Sequence, residues 1–271
     1  MGSIDQVEPL SYAWAAILGL VQGLTEFMPV SSSGHLALAE HFMSGQPEDM
    51  AFDILLHVAT AGVVLVAFGG DLWRFWCRKK VVLCYLLLGS VPVGIVGVLF
   101  RKKIELLREH PQLVCAALLV TALLLFIMEK AKESAVRMEE MGWKRALLVG
   151  FFQAIAIVPG ISRSGSTISG GVLCGLERED AVKFSFLLMV PAILGAALLK
   201  GIDIIKAGAP VAGFSFGAYG VGFVVACASG YVALRTLLHL VKTKKMLWFA
   251  AYCALVAVAG LIYFSGGING A

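Results

Sequence analysis

Glu26 and Arg163 are charged residues set deep inside apolar stretches: Glu26 is the one Asp, Glu, Lys or Arg between 9 and 39, and Arg163 the one between 146 and 176. A charge at the middle of a membrane-embedded helix costs on the order of 3 kcal/mol unless it is paired, neutralised or metal-bound. Both are therefore read first as functional. Gln22 precedes Glu26 by one helical turn, so the two share a face and can hold one ligand between them. In Ser31-Ser32-Ser33-Gly34-His35 the serines fall at the start of a helix, where unpaired N–H groups and the positive dipole end favour an anion. Ser32 and His35 can share a helical face, the arrangement of a hydroxyl nucleophile beside a proton acceptor. Serines in membrane helices also bond back to a carbonyl one turn earlier, and a single histidine is often structural. Ser162-Arg163-Ser164-Gly165-Ser166-Thr167 is a second such helix start, and its guanidinium matches phosphate oxygens in charge and geometry. The least costly arrangement brings both segments around one anionic group, with acid, histidine and serine from one and arginine from the other. His57, one turn after Asp53, could line the site but is expected rather to be a hydrogen-bonded core histidine, and Phe184, Phe186 and Met189 to be packing residues.

The elements that carry these residues are written twice. Ser31 aligns with Ser162, Ser32 with Arg163, Ser33 with Ser164 and Gly34 with Gly165, while Pro29 and Pro159 fall one place out of step. After a one-residue insertion the register continues through Phe52 with Phe184, Leu55-Leu56 with Leu187-Leu188, and Asp71 with Asp203. Six stretches free of Asp, Glu, Lys and Arg are long enough, or nearly so with snorkelling ends, to cross a bilayer: 54–70, 81–100, 111–128, 184–199, 207–234 and 246–265. The regions around Glu26 and Arg163 are too broken by proline and glycine to be straight spans. Backbone freed in this way survives at membrane depth where it is packed in protein or lines a wet cavity. Each is expected to be a re-entrant helix–loop–helix hairpin, at 9–43 and 145–176. One hairpin plus three spans makes a repeat, 9–128 and again 145–265, within a single membrane domain over 1–271. Because three is odd, the second repeat is inverted relative to the first.

Composition excludes the main alternatives. With 59% hydrophobic residues, 15% charged residues and a mean hydropathy of +0.87, the chain is no soluble domain, whose surface needs about 25% charge. Long mixed-apolar runs in place of ten-residue alternation favour helices over a barrel. The expected class is all-α and polytopic. The net charge is only +4, and basic residues lie between apolar runs without interleaved aromatics, so no nucleic-acid partner is expected. The 6 cysteines form no C-x-x-C pair and are expected to be small buried hydrophobes. Asp5 and Glu8, in place of a basic stretch, precede the first apolar run, so no cleaved signal peptide is expected. Lysines and arginines gather on one side of the spans, at Arg74, Arg78, Lys79, Lys80, Lys130, Lys132, Arg137, Lys144, Arg145, Arg178, Lys183, Arg235, Lys242, Lys244 and Lys245. The other side holds Arg101, Lys102, Lys103, Arg108, Lys200 and Lys206. The first side is expected to be cytoplasmic, with both termini and the mouth of the first hairpin extracytoplasmic.

The two polar motifs together resemble the bacitracin-resistance type of undecaprenyl-diphosphate phosphatase. Gln22 and Glu26 followed by Pro29-Val-Ser-Ser-Ser-Gly-His35 match its first signature, and Pro159-Gly-Ile-Ser-Arg-Ser-Gly-Ser-Thr167 matches its second at every fixed position. The similarity extends over nearly the whole chain. The resemblance implies a multi-pass enzyme of the bacterial inner membrane that removes the terminal phosphate of undecaprenyl diphosphate, recycling the lipid carrier for cell-wall synthesis and conferring resistance to bacitracin. It implies Ser32 as nucleophile, His35 and Glu26 as acid–base or metal-linked partners, and Arg163 with Ser162 and Thr167 as phosphate clamp. Ser31, Ser33, Gly34, Ser164 and Gly165 complete the substrate-binding set. It also implies a divalent cation, Mg2+ or Ca2+, and a homodimer. Gln22 stands where many members carry Glu, so the metal role rests on Glu26. From the residues alone, Ser32 and His35 both remain open as nucleophile. A lipid-phosphate transporter or flippase has the same inverted-repeat build, and a non-catalytic scaffold gives no reason to bury Glu26 and Arg163.

Overall fold

The computed structural model describes residues 10–42, 50–132, 134–207 and 214–265. Among these there are ten α-helices, one 3₁₀ turn at Met138–Glu140 and no strand beyond a single bridge between Val136 and Leu176. In chain order the helices are α1 (Tyr12–Phe27), α2 (Ser32–Phe42), α3 (Met50–Arg78), α4 (Lys80–Arg108), α5 (Pro111–Lys130), α6 (Gly142–Ile155), α7 (Arg163–Leu173), α8 (Arg178–Ala207), α9 (Phe216–Lys242) and α10 (Met246–Ser265). Six of them, α3, α4, α5, α8, α9 and α10, are long and apolar enough to cross a membrane. Their outward faces are oily: Val66 is 80% exposed, Trp248 76% and Leu255 72%, which suits lipid and not water. The chain is an all-α, polytopic membrane protein.

The remaining four helices are short. α1 and α6 have 16 and 14 residues, a rise of about 24 and 21 Å against the roughly 30 Å of a hydrocarbon core. Each is followed, after a tight loop, by an 11-residue helix, α2 or α7. Apolar length alone set the expected bounds, and the helices differ from them at their ends. α8 begins at Arg178, earlier than 184, because Glu179 and Asp180 suit the positive end of its first turn. α9 starts at Phe216, with Ser215 as its cap, and runs past Arg235 to Lys242, whose long side chains carry their charges outward. The expected start of that span, 207, is instead the last residue of α8, and the expected bounds of the first hairpin, 9 and 43, lie outside the described residues.

Packing repeats as the sequence does. α1 lies against α9 and α6 against α4; α3 touches α9 and α8 touches α4; α3 meets α8, and α5 meets α10. Two of these crossings set glycine against glycine. A Cβ on Gly19 would stand 2.5 Å from the Gly222 carbonyl oxygen, and one on Gly150 would collide with the backbone of Gly89. The buried positions correspond too: Ala15, Leu18, Gly19 and Gln22 on α1 have the spacing of Ala146, Val149, Gly150 and Gln153 on α6. Val114, Leu118, Thr121 and Leu125 on α5 have that of Met246, Ala250, Cys253 and Ala257 on α10. The largest apolar core joins Phe27 to α3, α8 and α9, with Phe27 and Phe186 edge to face at 5.4 Å. Phe184, Phe186 and Met189 are fully buried in it, as their spacing predicts.

Candidate active site

Each short helix pair turns through a polar elbow, and both elbows are built alike. Ser31 accepts on Oγ from the Gly34 N–H at 3.2 Å, and Ser162 accepts from the Gly165 N–H at 3.0 Å, so each caps the helix that follows. In each, the capping hydroxyl lies near the next serine but one, Ser33 at 3.4 Å and Ser164 at 3.2 Å. Both elbows also contain a residue in left-handed conformation, Gly160 at φ 96° and Ser31 at φ 72°. For Ser31, which has a Cβ, this is a strained backbone of the kind that clusters at functional sites.

The elbows interlock. A Cβ on Gly34 would stand 3.2 Å from the Gly160 Cα, and one on Gly165 would stand 3.4 Å from the Pro29 Cβ. Glycine at these two positions is what lets the loops approach. Ser164 Oγ donates to the Met28 carbonyl at 3.2 Å. Each elbow is braced by the last helix of the other half. Thr121 of α5 donates to the Gly160 carbonyl at 3.0 Å and accepts from the Ser162 N–H at 2.8 Å. Cys253 of α10 points its Sγ at the Pro29 carbonyl at 3.8 Å.

Interlocking puts the two charges together. Arg163 pairs through one terminal nitrogen with Glu26 Oε1; Ser32 Oγ donates to Glu26 Oε2, which also accepts from Gln22 Nε2 at 3.0 Å. Glu26 and Gln22 are almost wholly shielded from solvent, and the side chain of Arg163 is mostly so. Two buried atoms at this cluster have no partner, the second terminal nitrogen of Arg163 and Gln22 Oε1. A buried guanidinium nitrogen without an acceptor, beside a serine hydroxyl held by a carboxylate, is a receptor for an anion oxygen.

The expected residues divide by where their hydroxyls and rings point. Gln22, Glu26, Ser32 and Arg163 share the cluster. Ser31, Ser33, Gly34, Ser162, Ser164 and Gly165 form the elbows that hold it. Thr167 is fully buried, and its hydroxyl bonds the Arg163 carbonyl at 2.8 Å and the Ser185 hydroxyl of α8, which fixes the first turn of α7 behind the arginine. The expected pairing of Ser32 with His35 is not the one found. His35 Nδ1 lies 2.8 Å from the Ser31 carbonyl and Nε2 2.8 Å from the Tyr252 hydroxyl. Three-residue spacing puts two side chains on one face without aiming them at each other, and the carboxylate of α1 is the stronger acceptor for Ser32. His57 also departs from expectation. Its Nδ1 bonds the Asp53 carbonyl at 2.8 Å, as for a structural histidine, but its Nε2 stands 3.9 Å from Glu26 Oε2 and so faces the cluster. Asp53 is itself pinned by Arg108 at 2.8 Å. Thr121, Cys253 and Tyr252 gave no signal in the sequence, being hydroxyl, thiol and phenol groups within apolar spans.

Among the described residues no group of three or more His, Cys, Asp and Glu side chains is placed to hold a metal ion. The oxygen donors at the cluster are the Glu26 carboxylate and the unpartnered Gln22 Oε1. That donor set fits a hard cation that takes its remaining oxygens from a phosphate substrate, which is how Mg2+ is commonly held.

A family model described as "Bacitracin resistance protein BacA" matches residues 15–259. Among curated proteins, an undecaprenyl-diphosphatase of Rhodopirellula baltica is 39% identical over 88% of this chain and 92% of its own length. One of Bacteroides fragilis is 39% identical, covering 92% of this chain and 96% of that protein. One of Methanobrevibacter smithii is 37% identical, covering 94% and 97%. Matches of this extent, over a chain whose two elbows meet around Glu26 and Arg163, place it: the protein belongs to the bacitracin resistance protein BacA family.

Proposed function

We propose that this protein is an undecaprenyl-diphosphatase, hydrolysing the terminal phosphate of undecaprenyl diphosphate to give undecaprenyl phosphate and inorganic phosphate. The observation that carries the reading is the shared cluster of Ser32, Glu26 and Arg163, drawn from two elbows, with one guanidinium nitrogen left for a phosphate oxygen. The diphosphate sits at the elbows, and the prenyl tail lies along the apolar outer faces of the spans. Ser32 Oγ attacks the terminal phosphorus as its proton passes to Glu26; the bond from phosphorus to the bridging oxygen breaks, and Glu26 hands the proton to the departing monophosphate. Glu26 then takes a proton from the water that attacks the phosphoserine and returns it to Ser32 Oγ as the bond from that oxygen to phosphorus breaks and inorganic phosphate leaves. Arg163 and the N–H groups at the starts of α2 and α7 stabilise the equatorial oxygens. His57, close to Glu26 Oε2, supports the carboxylate. A Mg2+ or Ca2+ at Glu26 and Gln22 would neutralise diphosphate charge.

The α1–α2 and α6–α7 pairs are re-entrant hairpins of two inverted repeats, a reading supported by their short lengths and by the repeated helix pairings. The first hairpin opens to the extracytoplasmic side of the inner membrane with both termini there, and the enzyme works as a homodimer in cell-wall lipid recycling, with no nucleic-acid partner. Lipid transport alone is not favoured, since the matched relatives are named diphosphatases.

The test is phosphate release from undecaprenyl diphosphate in detergent micelles, where no two compartments exist. Wild-type protein releases phosphate, Ser32→Ala falls by about a thousandfold or more, and a quenched reaction carries phosphate on Ser32. A carrier would release none. Full turnover in Ser32→Ala would remove the serine from the mechanism.

A further inference from the structure

Tyr252 lies on α10, near the other end of the chain from the first elbow, and its contact with His35 is double. The phenol oxygen stands 2.8 Å from His35 Nε2, and the two rings are nearly parallel, 8° apart with centroids at 5.6 Å. The other ring nitrogen settles the direction of this bond. His35 Nδ1 lies 2.8 Å from the Ser31 carbonyl, an oxygen that can only accept, so Nδ1 carries a proton. In the neutral ring Nε2 is then the acceptor, and the Tyr252 hydroxyl donates to it. The Nε2 lone pair is thereby occupied, and the imidazole is held at both nitrogens. The carbonyl it grips belongs to Ser31, the left-handed residue directly before Ser32.

Comparison of the two elbows separates scaffold from chemistry. The braces from α5 and α10 repeat: Thr121 on the Gly160 carbonyl answers Cys253 on the Pro29 carbonyl. In the register of the buried faces, the counterpart of Tyr252 on α5 is Val120, and the counterpart of His35 on α7 is Ser166. Neither can reproduce the phenol–imidazole contact. The cap residue differs along with the contact: Ser31, whose carbonyl His35 grips, is left-handed at φ 72°, while its counterpart Ser162 is extended at φ −67°. The contact therefore belongs with that turn and with Glu26, whose counterpart is Ile157, among the features confined to the first elbow.

We infer that Tyr252 is a positioning residue for the phosphatase reaction: through His35 it locks the Ser31 turn that aims Ser32 at the phosphate, and it keeps His35 from acting as nucleophile or base. This rests on the phosphatase reading for its kinetic arm only. The experiment compares Tyr252→Phe and Tyr252→Leu with wild type in micelles, on undecaprenyl diphosphate, and follows the 15N ring resonances of His35 in histidine-labelled protein without substrate. Tyr252→Phe keeps the stacked ring and loses the hydroxyl. It lowers kcat by about tenfold with KM within about twofold, and its His35 Nε2 resonance moves from a hydrogen-bonded to a free acceptor position while Nδ1 stays protonated. Wild-type kcat in Tyr252→Phe with loss only in Tyr252→Leu would mean ring packing alone and overturn the inference, as would an unmoved Nε2 resonance. If wild-type protein released no phosphate at all, the functional reading would fail while the resonance arm still judged the His35 lock.

Discussion

The Glu26–Arg163 pair makes a quantitative demand on stability that can be separated from its demand on catalysis. The two side chains are 4% and 17% exposed, and they join α1 to α7, helices of opposite halves. Removing one partner of a buried ion pair leaves an uncompensated charge and typically costs about 3–5 kcal/mol. For Arg163→Met the lower end applies, about 3 kcal/mol, because Glu26 keeps its bonds from Ser32 and Gln22 and has His57 at 3.9 Å. Glu26→Gln leaves the guanidinium with a neutral acceptor and costs about 2 kcal/mol on the same reasoning. The double variant contains neither charge, so its cost is expected near 2 kcal/mol in place of the additive 5, a coupling of about 3 kcal/mol. The assay is denaturant unfolding of the four purified proteins in one detergent, with phosphate release measured on the same samples. The double variant is about as stable as Glu26→Gln alone, and more stable than Arg163→Met, yet remains at least about a thousandfold slower than wild type, since the clamp and the proton acceptor are both gone. Additivity within about 0.5 kcal/mol would refute the pairing as the tie between the elbows.

Three further outcomes follow from neighbouring contacts. Gly150→Val forces side-chain atoms into the Gly89 backbone and lowers stability by about 1–3 kcal/mol, read as a lower unfolding midpoint, with the Gly19→Val variant behaving alike at Gly222. Thr121→Val leaves the Gly160 carbonyl and the Ser162 N–H without their shared partner, so it costs about 1–3 kcal/mol and lowers kcat more than it raises KM, measured by unfolding and by steady-state kinetics. Removing divalent cations with a chelator lowers phosphate release but leaves unfolding stability within about 1 kcal/mol of its starting value, because the Glu26 carboxylate is held by Arg163, Ser32 and Gln22 Nε2.

What the sequence made legible was charge in the wrong solvent. Glu26 and Arg163 stood out because nothing near them in the chain balances their desolvation, and the only inexpensive solution was for each to find the other, as they do. The six spans were readable from the lengths of the charge-free runs, and their ends were not, because lysine and arginine let a helix outrun its apolar stretch at Lys242. Direction within a helix was the harder quantity. Ser32 and His35 share a face, yet the one turns back across the elbow to a carboxylate on α1 and the other meets a phenol on α10, 217 residues on, and neither direction follows from the spacing within α2. His57 was underrated for the same reason: its link to Asp53 is local and visible, while its approach to Glu26 depends on how α3 packs beside α1. Thr121 lies in a span where a hydroxyl ordinarily satisfies itself on the preceding turn, and a phenol in an apolar run, as at Tyr252, reads as packing, so their long-range bonds had no signature at all.

The reciprocal bracing of the elbows has a consequence for how the protein matures. Two contacts of the first elbow, Cys253 to the Pro29 carbonyl and Tyr252 to His35, come from α10, 224 and 217 residues further along the chain. During synthesis the strained turn before Ser32 therefore waits, incompletely supported, until α10 has been made and inserted beside it. A nascent chain that still lacks α10 carries the reactive residues without the buttress that aims them.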